Sequence, residues 1–190
     1  MFAIDFDGVI ADTSRLKSEW LRKNLGRDIP PWQCDHTTLA GLIGEETYQR
    51  MSPDVYGAQA THGVGLVDGA ADALRTLARA GRIIVLTART EEQAAFTRRY
   101  LADHDLADAV AEVVSSAEST KIAQVRTLGC RVLIDDDGRH LLGEGAEALT
   151  RLHLRPGAEN PPASGPGIVV CTTWPEAVTA ALEAVESLSE

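Results

Sequence analysis

The chain has 190 residues, 44% hydrophobic and 24% charged, with a formal net charge of -10. That length and balance suit one core with room for a small accessory unit. The acidic surplus excludes a nucleic-acid polymer as partner, because no basic field offsets phosphate repulsion; a small phosphorylated ligand held by a metal and local cations stays admissible.

The first predicted element is the apolar run AIDF (3–6), which reads as a buried strand ending in Asp5 and Asp7, with Gly8 directly after. Like charges about 4 Å apart repel by roughly 4 kcal/mol at an effective dielectric near 20. Either a cation neutralises the two acids, or one holds a proton, or they turn into water.

Residues 13–66 carry no strand pattern. SRLKSEWLRKNLG (14–26) predicts a helix stopped by Gly26, IPPW (29–32) a rigid turn, and GEETYQRMSPDVYGA (44–58) one or two helices split at Pro53. Arg15, Lys17, Arg22 and Lys23 read as a solvated helix face, with the alternative that one of them reaches the phosphate or sugar of a ligand, while Trp20, Trp32, Tyr48 and Tyr56 are candidates for a binding wall. The segment is expected to be a helical insert, leaving 1–12 and 67–190 as the core domain.

Beyond the insert, helical spacing over AADALRTLARA (70–80), EEQAAFTRRYLADH (91–104) and TKIAQVRTLG (120–129) alternates with the strand-like runs RIIVLT (82–87), AEVVS (111–115) and CRVLID (130–135). A Pro- and Gly-rich loop (155–167) leads to a last strand, GIVVCT (167–172). TTWPEAVTAALEAVESL then offers a Thr cap, Pro175 in the first turn and an amphipathic helix through 188. Such alternation predicts an α/β fold, a Rossmann-like parallel sheet with helices on both faces.

Cys34, Cys130 and Cys171 are odd in number and widely spaced, which favours buried free thiols over a disulfide or metal cluster. No 18-residue apolar span and no basic-then-apolar leader is present, so a cytoplasmic protein without membrane contact is expected. The sequence leaves open whether it is a monomer or a homodimer.

In an open parallel sheet, ligands bind beyond the carboxyl ends of the strands. Polar groups collect at that edge: Asp5 and Asp7 after the first strand, Thr87, Ala88 and Arg89 after the second, and Asp135, Asp136 and Asp137 after the fourth, with Lys121 opening the helix before it. The set suits phosphate-ester hydrolysis, among the slowest of uncatalysed reactions. A carboxylate nucleophile divides that reaction through an aspartyl-phosphate, and an anion attacking an anion calls for Mg2+ with hard oxygen ligands. Asp5, the backbone at Asp7 and the acids at 135–136 suit that shell. Thr87 and Lys121 suit the phosphate oxygens, and Gly8 admits a tight turn whose N–H groups approach them. Arg89 has two readings, as a substrate orienter or as the partner of a nearby acid. His36 and His62 have no partner at metal-ligand spacing, and no role is assigned to them.

DFDGVIAD, VLTAR, Lys121 and VLIDDD resemble, in order and type, the four motifs of the haloacid dehalogenase-like (HAD) phosphatase superfamily. The resemblance implies Asp5 as nucleophile, Asp7 as general acid/base, Thr87 and Lys121 as phosphate holders, Asp136 as a direct Mg2+ ligand and Asp135 as one acting through water. The triple acid leaves a one-residue ambiguity, with Asp137 the weakest candidate and its alternative a helix cap. Dehalogenases of that superfamily lack the second acid, since a halide leaves without a proton. The insert stands where the helical cap of such enzymes sits and resembles that of the 5'(3')-deoxyribonucleotidase branch. This implies a nucleoside monophosphate as substrate; of the aromatic candidates, Trp32 and Tyr48 stand near predicted turns and are the expected contacts. Alternatives are a sugar phosphate or small biosynthetic intermediate, a phosphomutase, or a binding module on the same scaffold.

Overall fold

A computed structural model describes residues 1–186. Six strands form one parallel sheet: β1 (Phe2–Ile4), β2 (Ile83–Thr87), β3 (Glu112–Ser115), β4 (Val132–Asp135), β5 (Thr150–Leu154) and β6 (Ile168–Cys171). Their spatial order is β3-β2-β1-β4-β5-β6, the doubly wound order in which the chain reverses direction between β1 and β4. Helices that leave a sheet in opposite directions part there, and a crevice opens at the strand ends.

The sheet is buried because both faces are apolar. Side chains alternate along a strand, so Phe2 and Ile4 enter one cluster with Val85, Ile134, Tyr100 and Trp174. Ala3, Ile84, Leu86 and Leu133 enter the other, with Ile122 and Val125. Helices α5 (Ala70–Ala80), α6 (Glu91–Asp103) and α8 (Trp174–Glu186) contribute to the first cluster, and α7 (Lys121–Thr127) covers the second. Residues 187 and 188, expected at the end of the last helix, lie outside the described residues. No helix among the described residues is long and apolar enough to cross a membrane.

Between β1 and α5 lie four helices, α1 (Thr13–Leu25), α2 (His36–Ile43), α3 (Glu45–Tyr56) and α4 (Ala58–Gly63). They share a small core of Leu21, Ile29, Cys34, Leu39, Tyr48, Met51 and Val55. Gly26 ends α1 in a left-handed conformation at φ 63°, donating its N–H to the Arg22 carbonyl.

Several expectations are corrected. Pro53 does not split the helix at 44–58; it lies inside α3, and the break falls at Gly57, whose backbone is extended. Pro53 and Gln49 are both exposed, so water can satisfy the carbonyl that a proline leaves without a donor. Strand β5 was not expected, because TRLHL places Arg151 and His153 where an apolar run is sought; both are buried nonetheless. Helix α2 is also additional, capped by Asp35, whose side chain accepts from the Thr38 N–H. Lys17 does not belong to a solvated face: it is buried in step with Thr13 and Leu21 on the inward side of α1. All three cysteines are buried free thiols.

Candidate active site

The ends of β1 and β4 are tied together where the sheet reverses, the Asp5 N–H donating to the Ile134 carbonyl at 2.9 Å. This brings four acids from distant sequence positions to one crevice. Asp5, Asp135 and Asp136 each offer an oxygen within 4.8 Å of the others. Lys121, at the start of α7 and 2% exposed, reaches between the strands. Its Nζ lies 2.7 Å from Asp5 Oδ1 and 2.6 Å from Asp135 Oδ2.

One ammonium between two carboxylates raises the question of which acid keeps its charge. Asp135 also accepts from the Asp137 N–H at 2.9 Å, and His140 Nδ1 lies 3.3 Å from the same oxygen. These contacts favour the ionised form. Burial alone would raise its pKa, but Lys121 and His140 hold it well below the usual carboxylate range. Among the described residues, Asp5 has no such additional donors. Burial pushes it up to about 7, with Asp135 and Asp7 adding to the rise and Lys121 opposing it. Burial pulls Lys121 down, but the two acids outweigh it and hold the ammonium charged.

Asp136 is placed differently. Its carboxylate accepts a long hydrogen bond of 3.5 Å from Ser14 Oγ, and burial with Asp5, Asp135 and Asp137 nearby raises its pKa well above normal, against Lys17. Gly8, at φ 76°, passes so close that a Cβ there would lie 2.1 Å from Asp136 Oδ2. The backbone therefore makes room for this carboxylate at a position open to glycine. Three hard oxygen donors, an excess of negative charge and a cleared approach fit a small divalent cation such as Mg2+. Asp137 instead caps the turn that follows, accepting from the Arg139 N–H at 3.1 Å and pairing with the Arg139 side chain at 2.8 Å.

Asp7 does not join the carboxylate cluster. Arg89 Nε and Nη2 donate to its two oxygens at 2.8 Å each. Of the two readings of Arg89, the structure gives the ion pair. The guanidinium is itself held by Thr61 Oγ1 at 2.7 Å and lies 5.0 Å over the Phe6 ring and 5.4 Å from that of Tyr56. Thr87 is fully buried, its Oγ1 accepting from the Arg89 N–H at 3.2 Å, which leaves the hydroxyl hydrogen available to a ligand.

A cavity of about 220 Å³ opens over Asp5 and Asp7, lined also by Ala88, Arg89, Lys17, Tyr48, Tyr56 and His36. The tyrosine hydroxyls are 2.8 Å apart, and His36 meets the Tyr48 ring edge-on at 4.5 Å. Lys17 donates to the Cys34 carbonyl at 2.9 Å and sits 5.6 Å over the Tyr56 ring. Trp32 lies elsewhere, on a neighbouring cavity, where Arg155 stacks on it at 5.0 Å. Trp20 donates to Asp54 at 2.8 Å and packs against the helical unit's core. Tyr56 was a candidate for the binding wall, whereas Lys17, His36 and His140 were not singled out as site residues. For Lys17 a signal existed: it stands four residues from Thr13 and from Leu21, on the inward stripe.

The chain shares its fold with solved HAD-superfamily hydrolases. Among solved structures, the chain is similar to a haloacid dehalogenase-like hydrolase from Streptococcus pneumoniae at 14% identity, covering 94% of this chain and 96% of that one with TM-score 0.62. A HAD family hydrolase from Deinococcus radiodurans R1 with bound phosphate and sodium shows 17% identity, coverage of 97% and 95%, and TM-score 0.58. An L-2-haloacid dehalogenase from Xanthobacter autotrophicus with chloropropionic acid covalently bound shows 14% identity, coverage of 94% and 96%, and TM-score 0.54. No protein-family model matches the chain, and no curated protein matches it significantly. At such identities the likeness defines the fold, and the chemistry must be argued from the residues.

Proposed function

We propose that this chain is a Mg2+-dependent phosphomonoesterase that works through a phospho-aspartate on Asp5 and takes nucleoside monophosphates. The observation that carries the reading is the placement of Asp5: buried at the reversal point of the sheet, 2.7 Å from Lys121, with Asp135 and Asp136 in the same cluster and Asp7 two residues on.

Asp5, Asp135 and Asp136 would hold the metal, and Asp136, the least committed to protein partners, would be a direct ligand from just past the end of β4. Bound Mg2+ supplies positive charge that offsets the repulsion between a carboxylate and a phosphate. Asp5 attacks phosphorus, and the bond from phosphorus to the ester oxygen breaks. Asp7 gives that oxygen its proton. Water then attacks the phospho-aspartate and passes a proton to Asp7, releasing phosphate and restoring Asp5. Lys121 and the Thr87 hydroxyl hold the phosphate oxygens through both steps.

Asp7 argues against carbon–halogen cleavage, since a halide leaves without needing a proton. The helical unit at 13–66 acts as the cap, and the finer reading of a nucleotide rests on it. Tyr48, Tyr56 and His36 form an aromatic wall in the same cavity as Asp5, suited to the face of a base. The test is phosphate release from a panel of nucleoside 5'- and 3'-monophosphates, sugar phosphates and an aryl phosphate, with Mg2+ and with chelator. No release from any substrate overturns the phosphatase reading. Sugar phosphates turned over faster than nucleotides overturn the finer one, and a product that keeps its phosphate indicates a mutase.

A further inference from the structure

A cavity larger than the one over Asp5 adjoins it. On the other side of the Gly8 turn, above the carboxyl ends of β5 and β6, lies a cavity of about 650 Å³. Sites for small molecules usually enclose roughly 300–1,000 Å³, so this cavity has ligand dimensions. Its walls are largely apolar, with Trp32, Val67, Leu154, Trp174 and Pro175 among them.

One cation interrupts that lining. Arg155, 8% exposed, donates through Nη2 to the Trp32 carbonyl at 3.3 Å and stacks on the Trp32 ring at 5.0 Å. Its Nε is buried and has no hydrogen-bond partner. No carboxylate among the described residues pairs with it, whereas buried Lys121 has two acids and buried Arg89 has one. A buried charge left without a counter-ion is costly. A guanidinium fixed on an aromatic face, with a donor unused, is also preorganised for a planar anion. Acids on the cavity do not meet the need: Asp12 is occupied by Arg15 at 3.1 Å, Asp68 is exposed, and Asp136 belongs to the cluster with Asp5 and Asp135 and makes no ion pair with Arg155 among the described residues.

We propose that this cavity is a second ligand site, for a small molecule that joins an apolar body to a carboxylate, sulfonate or phosphate group held by Arg155. The proposal does not rest on the phosphatase reading, because neither Asp5 nor Asp7 lines the cavity. Its neighbourhood is nonetheless informative, since Asp136 borders both cavities.

The test is a calorimetric titration with naphthalene-2-carboxylate and its neutral carboxamide, followed by the indole N–H resonances of the tryptophans. The carboxylate is expected to bind at least tenfold more tightly than the amide and to shift the Trp32 resonance more than that of Trp20. Arg155→Met, which keeps an apolar contact on Trp32, should erase the preference, and Asp5→Asn should retain it. Equal affinity for the two probes overturns the proposal in the unaltered protein, whether or not the Met variant folds. So does a preference that survives Arg155→Met. A preference lost in Asp5→Asn also overturns it, by moving the anion to the cavity over Asp5.

Discussion

The guanidinium of Arg89, just past the end of β2, holds the carboxylate of Asp7, past the end of β1, through two hydrogen bonds of 2.8 Å each. Such a two-point grip fixes the plane of the carboxylate as well as its position. Lysine cannot reproduce it, because an ammonium is a point charge without a fork. If Asp7 delivers a proton to the departing oxygen, its aim depends on Arg89.

Arg89→Lys should therefore slow hydrolysis of alkyl phosphates by about 10- to 100-fold, within the usual contribution of general acid catalysis. An aryl phosphate, whose leaving group needs little protonation, should lose several-fold less, and Asp7→Asn should show the same pattern more strongly. The measurement is the ratio of kcat values on the two ester classes. Equal losses on both would show that Arg89 serves binding or the fold, and not the orientation of Asp7.

Asp5 makes stability depend on pH in a definite direction. Its pKa in the folded protein is raised from 3.8 to about 7, chiefly by burial. Between these values the folded state binds more protons at this site than the unfolded chain does, so the contribution is fully present below about pH 4 and is lost as pH rises through about 7. The difference corresponds to at most about 4 kcal/mol. In chelator, Asp5→Asn should thus raise Tm relative to the parent at pH 8 and much less at pH 5. Mg2+ should raise the parent's Tm more at pH 8, where no proton competes for the carboxylate. Thermal melts at both pH values decide the matter; a variant whose Tm runs parallel to the parent's would remove Asp5 from this role.

Gly8 and Gly26 both have positive φ, at 76° and 63°, but only one is crowded: a Cβ on Gly8 would stand 2.1 Å from Asp136 Oδ2, and a Cβ on Gly26 meets nothing within 4 Å. Each Gly→Ala change costs about 1 kcal/mol or somewhat more from the left-handed backbone. Gly8→Ala must also displace the Asp136 carboxylate. Mg2+ affinity, read from its stabilising effect in thermal melts, should fall tenfold or more in Gly8→Ala and stay unchanged in Gly26→Ala. Equal affinity in both would mean that Asp136 is not a ligand.

The parts of this architecture that were legible share a physical cause. Strands buried on both faces appear as unbroken apolar runs, so β1, β2 and β4 announce themselves, and the acids that follow them stand out against that background. Strand β5 hides because Arg151 and His153 are buried polar residues satisfied by distant partners, Arg151 by the Leu141 and Pro166 carbonyls and His153 by the Asp136 carbonyl. Lys17 looked solvated for the same reason: its partner, the Cys34 carbonyl, lies 17 residues away. Trp32 and Tyr48 were grouped as aromatic residues near predicted turns. Whether two aromatic side chains face one cavity depends on the packing of the helical unit, and in the fold they line two different ones.

Lys17 also yields the sharpest separation of binding from chemistry. Its ammonium is buried, lines the cavity over Asp5 and has a backbone carbonyl as its hydrogen-bond partner. No acid is within ion-pair distance of it among the described residues, so its charge is available to the anionic substrate of the proposed reaction. Lys17→Met keeps the length and apolar contacts of the side chain while removing the charge. The Cys34 carbonyl would lose its donor, at a cost of about 1–3 kcal/mol in stability. A cation that meets the phosphate equally in ground and transition state affects KM and leaves kcat alone. The variant should accordingly show a KM raised about tenfold or more for every phosphomonoester tested, with kcat within about twofold of the parent. Steady-state kinetics at saturating Mg2+ supply both constants. An unchanged KM would mean that Lys17 serves only to anchor α1 to the loop at Cys34.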